Sequence, residues 1–190
     1  MEKLISQNNL NELLKKETKF RGKKGLQEFV ESKRREGKES GTNTLIFLSH
    51  SHLDKTIVSK ISLLFDKLDT ELYVDWLDKS LPETASKITA DSIKTKISEC
   101  NHFLFLATYH GLRSKWCNWE IGIADILKSE DKLAILPVQS KSGNWSGNEY
   151  LQLYPEMVIE NENLDSLTLD DIHIKKTDGQ SISFEKWLLS

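Results

Sequence analysis

From Thr44 to Val138 the chain alternates short apolar runs with longer stretches of helical periodicity. "TLIFL" (44–48), "ELYVD" (71–75), "HFLFLA" (102–107) and "LAILPV" (133–138) have the length of strands. Near-continuous hydrophobicity marks strands buried on both faces, as in parallel sheets. Between them, residues 53–68 place Leu53, Ile57, Ile61, Leu64 and Leu68 on one helical face, and residues 84–98 use Ala85, Ile88, Ile93 and Ile97. A third helix is predicted over "SKWCNWEIGIADILK" (114–128), where Trp116, Trp119, Ile123 and Leu127 form one stripe. Strand–helix–strand alternation implies right-handed crossovers and an α/β sheet with helices on both sides.

Outside this block the pattern loosens. "SGNWSGNEY" (142–150) is rich in turn residues, "MVIE" and "DIHIK" read as edge strands, and "SISFEKWLL" reads as a closing helix. Residues 8–17 and 23–36 read as short amphipathic helices with few apolar residues, followed by the polar linker "GKESGTN" (37–43). The expected division is a helical N-terminal extension with linker over 1–41 and a main domain over 42–190.

Charge separates the same two parts. The net charge is -3, but residues 1–40 carry 11 Lys/Arg against 7 Asp/Glu, and the remainder carries 15 against 22. An acidic main body argues against a general nucleic-acid binder, because phosphate backbones are met with Lys and Arg. Two cysteines, Cys100 and Cys117, make no disulfide framework and no metal spacing. The N-terminus lacks the apolar stretch of a signal peptide and no apolar run approaches a membrane span, so a soluble, cytoplasmic protein is expected.

Within the third helix Glu120 is the one charge that falls inside the apolar stripe. In sheets of this kind ligands bind beyond the carboxyl ends of the strands. That rule selects "SHSHLD" (49–54), "DWLDKSLPE" (75–83), "TYHGLRS" (108–114) and the start of the third helix, which are distant in sequence and expected to converge. No GxGxxG follows the first strand and no GxxxxGK[ST] occurs, so neither a dinucleotide cradle nor a P-loop is supported. No GxSxG elbow is present, and "SHSH" stands where a phospho-accepting receiver domain carries acidic residues.

"FLSHSHLDK", "LYVDW" and "SKWCNWE", in that order, resemble the motifs of a Toll/interleukin-receptor (TIR) domain over roughly residues 42–160. The resemblance implies a three-layer, flavodoxin-like parallel sheet. Its most specific element is "SxWCxxE", whose glutamate is required in the TIR domains that cleave NAD+. The match places that role on Glu120, with Trp116 lining the nicotinamide end. One departure stands out: the loop after the second strand usually carries Pro-Gly, and this chain has Pro82-Glu83.

The resemblance implies NAD+ as substrate, no resident cofactor and no metal. Departure of neutral nicotinamide leaves an oxocarbenium-like ribose, and a preorganised carboxylate stabilises charge that develops only in the transition state. Ser49 and His50 are expected to meet ribose or pyrophosphate; the alternative is that this turn serves the next helix, with Ser51 and Asp54 as caps. Asp75 and Trp76 are expected at ribose or adenine, against ordinary loop packing. Lys79 and Lys115 are expected near phosphates, against simple solvation. Trp116 combines a core position with stacking on nicotinamide.

Small TIR proteins of this plan occur in antiphage defence, notably Thoeris systems, where a cyclic or conjugated ADP-ribose signals to a separate effector. The resemblance therefore implies a signal-producing enzyme that also self-associates through TIR contacts. The competing readings are an NAD-depleting toxin and a non-catalytic adaptor that works through TIR–TIR interactions.

Overall fold

Alternate residues of the central strands feed two different cores, and that alternation sets the architecture. The computed structural model describes residues 5–13, 15–16, 44–75, 86–139, 149–161 and 163–190. The expected helix over 23–36, the linker 37–43, Trp76, Lys79, the Pro82-Glu83 step, Ala85 and the turn-rich stretch up to 148 lie outside the described residues.

In chain order the elements are β1 (Ile5–Ser6), a helix over 7–13 (α1), β2 (Leu45–Ser49), α2 (Lys55–Lys67), β3 (Glu71–Tyr73), α3 (Lys87–Glu99) and β4 (His102–Ala107). There follow α4 (Tyr109–Arg113), α5 (Lys115–Leu127), β5 (Leu133–Gln139), β6 (Glu156–Ile159), β7 (Ile172–Lys175), β8 (Ser181–Ser183) and α6 (Phe184–Leu188). The sheet runs β3-β2-β4-β5-β6-β7-β8, and β1 pairs parallel with the end of β5, Ile5 beside Val138. It is parallel from β3 through β6 and antiparallel across β7 and β8. Counted along the chain from β2, the strands β3-β2-β4-β5-β6 give the doubly wound order 2-1-3-4-5, whose topological switch falls between β2 and β4.

On one face Ile46, Leu48, Leu104, Leu106 and Leu136 pack against α2 and α6; on the other, Phe47, Phe103, Phe105 and Ile135 pack against α3 and α5. Phe47 and Phe103, side by side on neighbouring strands, stack with ring centroids 5.5 Å apart. This is the expected three-layer α/β fold. The described N-terminal residues take part in it. Ile5, Leu10 and Leu13 are buried in the α2 core, and Asn11 Oδ1 accepts a hydrogen bond from Lys60 Nζ at 2.5 Å.

Several local expectations need correction. "SISFEKWLL" is not one helix, because Ser181–Ser183 extends along β7 and only Phe184–Leu188 coils, with Ser183 as its cap. "MVIE" and "DIHIK" are interior strands, since β8 takes the edge beyond them. Leu53 and Ile88 face solvent instead of the core, and α3 turns Thr89, Ile93 and Ile97 inward. The stripe of α5 is displaced as well. Cys117, Glu120, Ile121 and Ala124 are its buried residues, while Trp116 and Leu127 are exposed. Small residues let the helix lie close to the sheet, and the two indoles are too large for that seam. They sit at its margin, where Lys94 of α3 covers the Trp119 ring.

Candidate active site

The site is built where β2 and β4 end, on either side of the topological switch. β2 finishes at Ser49, and the buried turn Ser49–Ser51 leads into α2. Ser51 accepts from the Leu53 amide and caps the short 3-10 turn that follows, the capping role expected of it. Asp54 does not cap. Its carboxylate turns inward, is buried, and accepts a 2.5 Å hydrogen bond from Thr108 Oγ1 just beyond β4. Burial raises the Asp54 pKa, against the lowering effect of the Thr108 bond and the nearby histidines. The same Thr108 oxygen accepts from the Gly111 amide at 2.9 Å and caps α4. Asp54 and Thr108 thus tie together the two turns that flank the switch. Neither was singled out from the sequence as a site residue, because Asp two residues after a Ser-His pair reads first as a cap.

α5 supplies the central group. Ser114 caps it by accepting from the Cys117 amide at 3.2 Å. Two turns in, Glu120 points at the end of β2, only 4% exposed, and Ser49 Oγ donates to its Oε2 at 2.6 Å. Burial pushes the Glu120 carboxyl from an ordinary 4.5 up to about 8; the Ser49 bond lowers it and the neighbouring charge of Asp75 raises it. Cys117, buried beside them, is pushed up to about 12 mainly by burial, so it holds its proton and is no nucleophile at neutral pH.

A second pair stands next to the first. His50 Nδ1 lies 2.8 Å from the Leu48 carbonyl, and His50 Nε2 lies 3.3 Å from Asp75 Oδ1. Of the residues expected at the site, the structure therefore brings Ser49, His50, Asp75 and Glu120 together from three segments of chain. Trp116 lies in the first turn of α5, 37% exposed, its ring edge-on to Trp119 at 5.1 Å between centroids. Lys115 beside it is exposed. Trp76 and Lys79 are outside the described residues.

Among the described residues no group of three or more His, Cys, Asp or Glu side chains is placed to hold a metal ion. A cavity of about 400 Å³ lies elsewhere, between α3 and α5, with Lys94, Ile123 and Leu127 in its walls. It shares no residue with the Glu120 group. No described helix is long and apolar enough to cross a membrane. Chemically, a carboxylate held in a dry niche by one hydroxyl is suited to stabilising positive charge that forms beside it.

The description "TIR domain" matches residues 46–167 of the chain. The chain is 34% identical over 147 residues to the Bacillus cereus (strain MSX-D12) protein named "Probable 3' cyclic ADP-D-ribose synthase ThsB'", covering 75% of this chain and 74% of that one. It is 32% identical over 79 residues to the Cytobacillus dafuensis protein named "Putative cyclic ADP-D-ribose synthase TIR2", covering 40% of this chain and 21% of the relative. The match runs from inside β2 past β6 and so includes the strand end that bears Ser49 and the helix that bears Glu120. The chain belongs to the TIR domain family.

Proposed function

We propose that this protein is an enzyme that cleaves NAD+ between nicotinamide and ribose and closes the remaining ADP-ribose into a cyclic product. The observation that carries the reading is Glu120, a buried carboxylate bonded to Ser49 at the ligand-binding end of the sheet. The printed names of the relatives, both cyclic ADP-D-ribose synthases, support the same class of reaction.

The substrate's leaving group is a cation, and its departure as neutral nicotinamide moves positive charge onto the ribose. Glu120 faces that charge. With its pKa near 8 the carboxyl of the free protein is mostly protonated at pH 7. The pyridinium charge of bound NAD+ favours the carboxylate, so binding expels the proton and arms the group. In the transition state the anion stabilises the oxocarbenium-like sugar, and burial of the carboxylate away from water strengthens the attraction. The reading gives NAD+ the place of substrate and assigns no resident cofactor. Trp116 would stack on nicotinamide as it leaves.

The product would act as a diffusible signal for a separate effector in antiphage defence, and the enzyme would self-associate through TIR contacts. An adaptor function without catalysis would leave a buried, hydroxyl-bonded carboxylate without a task.

The test is incubation of purified protein with NAD+, with and without extract of phage-infected cells, followed by chromatography of nicotinamide. Glu120→Gln keeps the shape and removes the charge, and is expected to lose at least about a hundredfold in rate, the scale of one preorganised electrostatic group. Equal turnover by the two proteins would overturn the mechanism.

A further inference from the structure

Leaving-group departure is half of a cyclisation. A ring closed through a ribose hydroxyl, the reading that fits the printed name of the Bacillus cereus relative, "Probable 3' cyclic ADP-D-ribose synthase ThsB'", needs that oxygen to bond to the anomeric carbon and give up its proton. Glu120, turned inward and bonded to Ser49, is committed to the sugar cation. The structure holds a second carboxylate beside it. Asp75 stands just beyond β3, close enough for its charge to act on Glu120.

The partner of Asp75 is arranged in a telling order. The Leu48 carbonyl can only accept, so the nitrogen facing it at 2.8 Å, His50 Nδ1, carries a hydrogen. That bond fixes the ring and aims Nε2 at Asp75 Oδ1, 3.3 Å away. The His50 side chain is 2% exposed and that of Asp75 is 32% exposed. From the interior outward the sequence of groups is carbonyl, imidazole and partly exposed carboxylate. With a hydrogen on both nitrogens, the anchored ring donates from Nε2 to the Asp75 carboxylate and holds it in one orientation.

Resting on the NAD+ reading above, we infer that Asp75 is the general base that accepts the proton of the ring-closing hydroxyl, and that His50 is the residue that positions it. The bond from the anomeric carbon to nicotinamide breaks and its electron pair leaves with nicotinamide. The hydroxyl oxygen of the second ribose bonds to that carbon, and its proton passes to the Asp75 carboxylate and from there to solvent. NAD+ becomes cyclic ADP-ribose, nicotinamide and one proton. Attack on an oxocarbenium-like carbon needs little activation of the nucleophile, so a carboxylate is a sufficient base. Its contribution is direction: it favours the hydroxyl it touches over water, and so decides between cyclic and linear product.

The experiment measures nicotinamide together with cyclic and linear ADP-ribose by liquid chromatography and mass spectrometry, for wild type, Asp75→Asn and His50→Gln. Asp75→Asn is expected to lower the cyclic fraction of total product at least tenfold, whatever its overall rate. His50→Gln is expected to lower it at least threefold in the same direction, and it stands in for Asp75→Asn should that variant not fold. A cyclic fraction within twofold of wild type in a variant that still releases nicotinamide overturns the inference and leaves the role of Glu120 intact. Wild type that makes only linear ADP-ribose overturns it in the same way. Absence of nicotinamide release by wild type under every activating condition removes the NAD+ reading itself.

Discussion

Ser49 Oγ donates to Glu120 Oε2 across 2.6 Å, and this single bond joins the end of β2 to a helix 71 residues further along the chain. It favours the ionised carboxyl and works against the burial that raises its pKa to about 8. Ser49→Ala removes the opposing effect, so the Glu120 pKa moves higher still. The rise of kcat/KM with pH, which reports the free enzyme, is expected to shift upward. At pH 7 the loss is roughly tenfold, the scale of a hydrogen bond to a charged group, and it narrows toward pH 9. A pH–rate profile of both proteins from pH 6 to 10 checks this, and parallel profiles would contradict it.

The same carboxyl ties stability to pH. The fold raises the Glu120 pKa from 4.5 to about 8, so the native state holds the proton more tightly than the unfolded chain. The contribution is fully present below about pH 4.5 and is lost as pH rises through about 8, where a charge must be buried. Glu120→Gln carries no such charge. Its stability is expected to match wild type near pH 4 and to exceed it at pH 9 by up to about 5 kcal/mol, given about 1.4 kcal/mol per pKa unit. Urea unfolding of both proteins at the two pH values reads the difference.

Gly111 is required where α4 begins. A Cβ there would fall 2.4 Å from the Leu106 carbonyl oxygen and 3.2 Å from Thr108 Oγ1. The first neighbour is backbone and cannot swing aside, so α4 must shift and loosen the Thr108–Asp54 tie beneath the site. Gly111→Ala is expected to cost about 1–3 kcal/mol, the range of overpacking, and to lower the urea midpoint. An unchanged midpoint would show that this turn has room the structure does not display.

The sequence carried the alternation of the central elements because strands buried on both faces must be apolar at every position. β4 and β5 therefore announce themselves as unbroken runs, and the sheet order follows from crossover geometry. Glu120 was legible through the "SxWCxxE" motif and as the one charge on the helical stripe, although Trp116 and Leu127 of that stripe are exposed. Helical register was less legible. Periodicity weighs Trp116 and Trp119 heavily and Cys117 and Ala124 lightly, yet close approach of α5 to the sheet selects the small pair. β8 was hidden because Ser181 and Ser183 have no strand character of their own and are held extended by pairing with β7. The inward turn of Asp54 was hidden too, since a cap and a tertiary hydrogen bond use the same residue in the same place.

The N-terminal segment gives the last prediction. Its sequence reads as polar helix with few apolar residues, which on its own has little reason to stay folded. Among the described residues the structure places three of them deep: Ile5, Leu10 and Leu13. Leu10 and Leu13 are buried in the core that holds Phe65 and Trp187, and Lys16 pairs with Asp165 at the periphery. A solvated appendage would tolerate truncation of Leu13 without effect. A leucine packed into the shared core loses transfer energy and leaves a cavity, so Leu13→Ala is expected to cost about 2–5 kcal/mol. Because Trp187 sits in the same cluster, its fluorescence should report one transition moved to lower urea, with the slope unchanged. A midpoint equal to wild type would mean that Leu13 is dispensable to the core it enters.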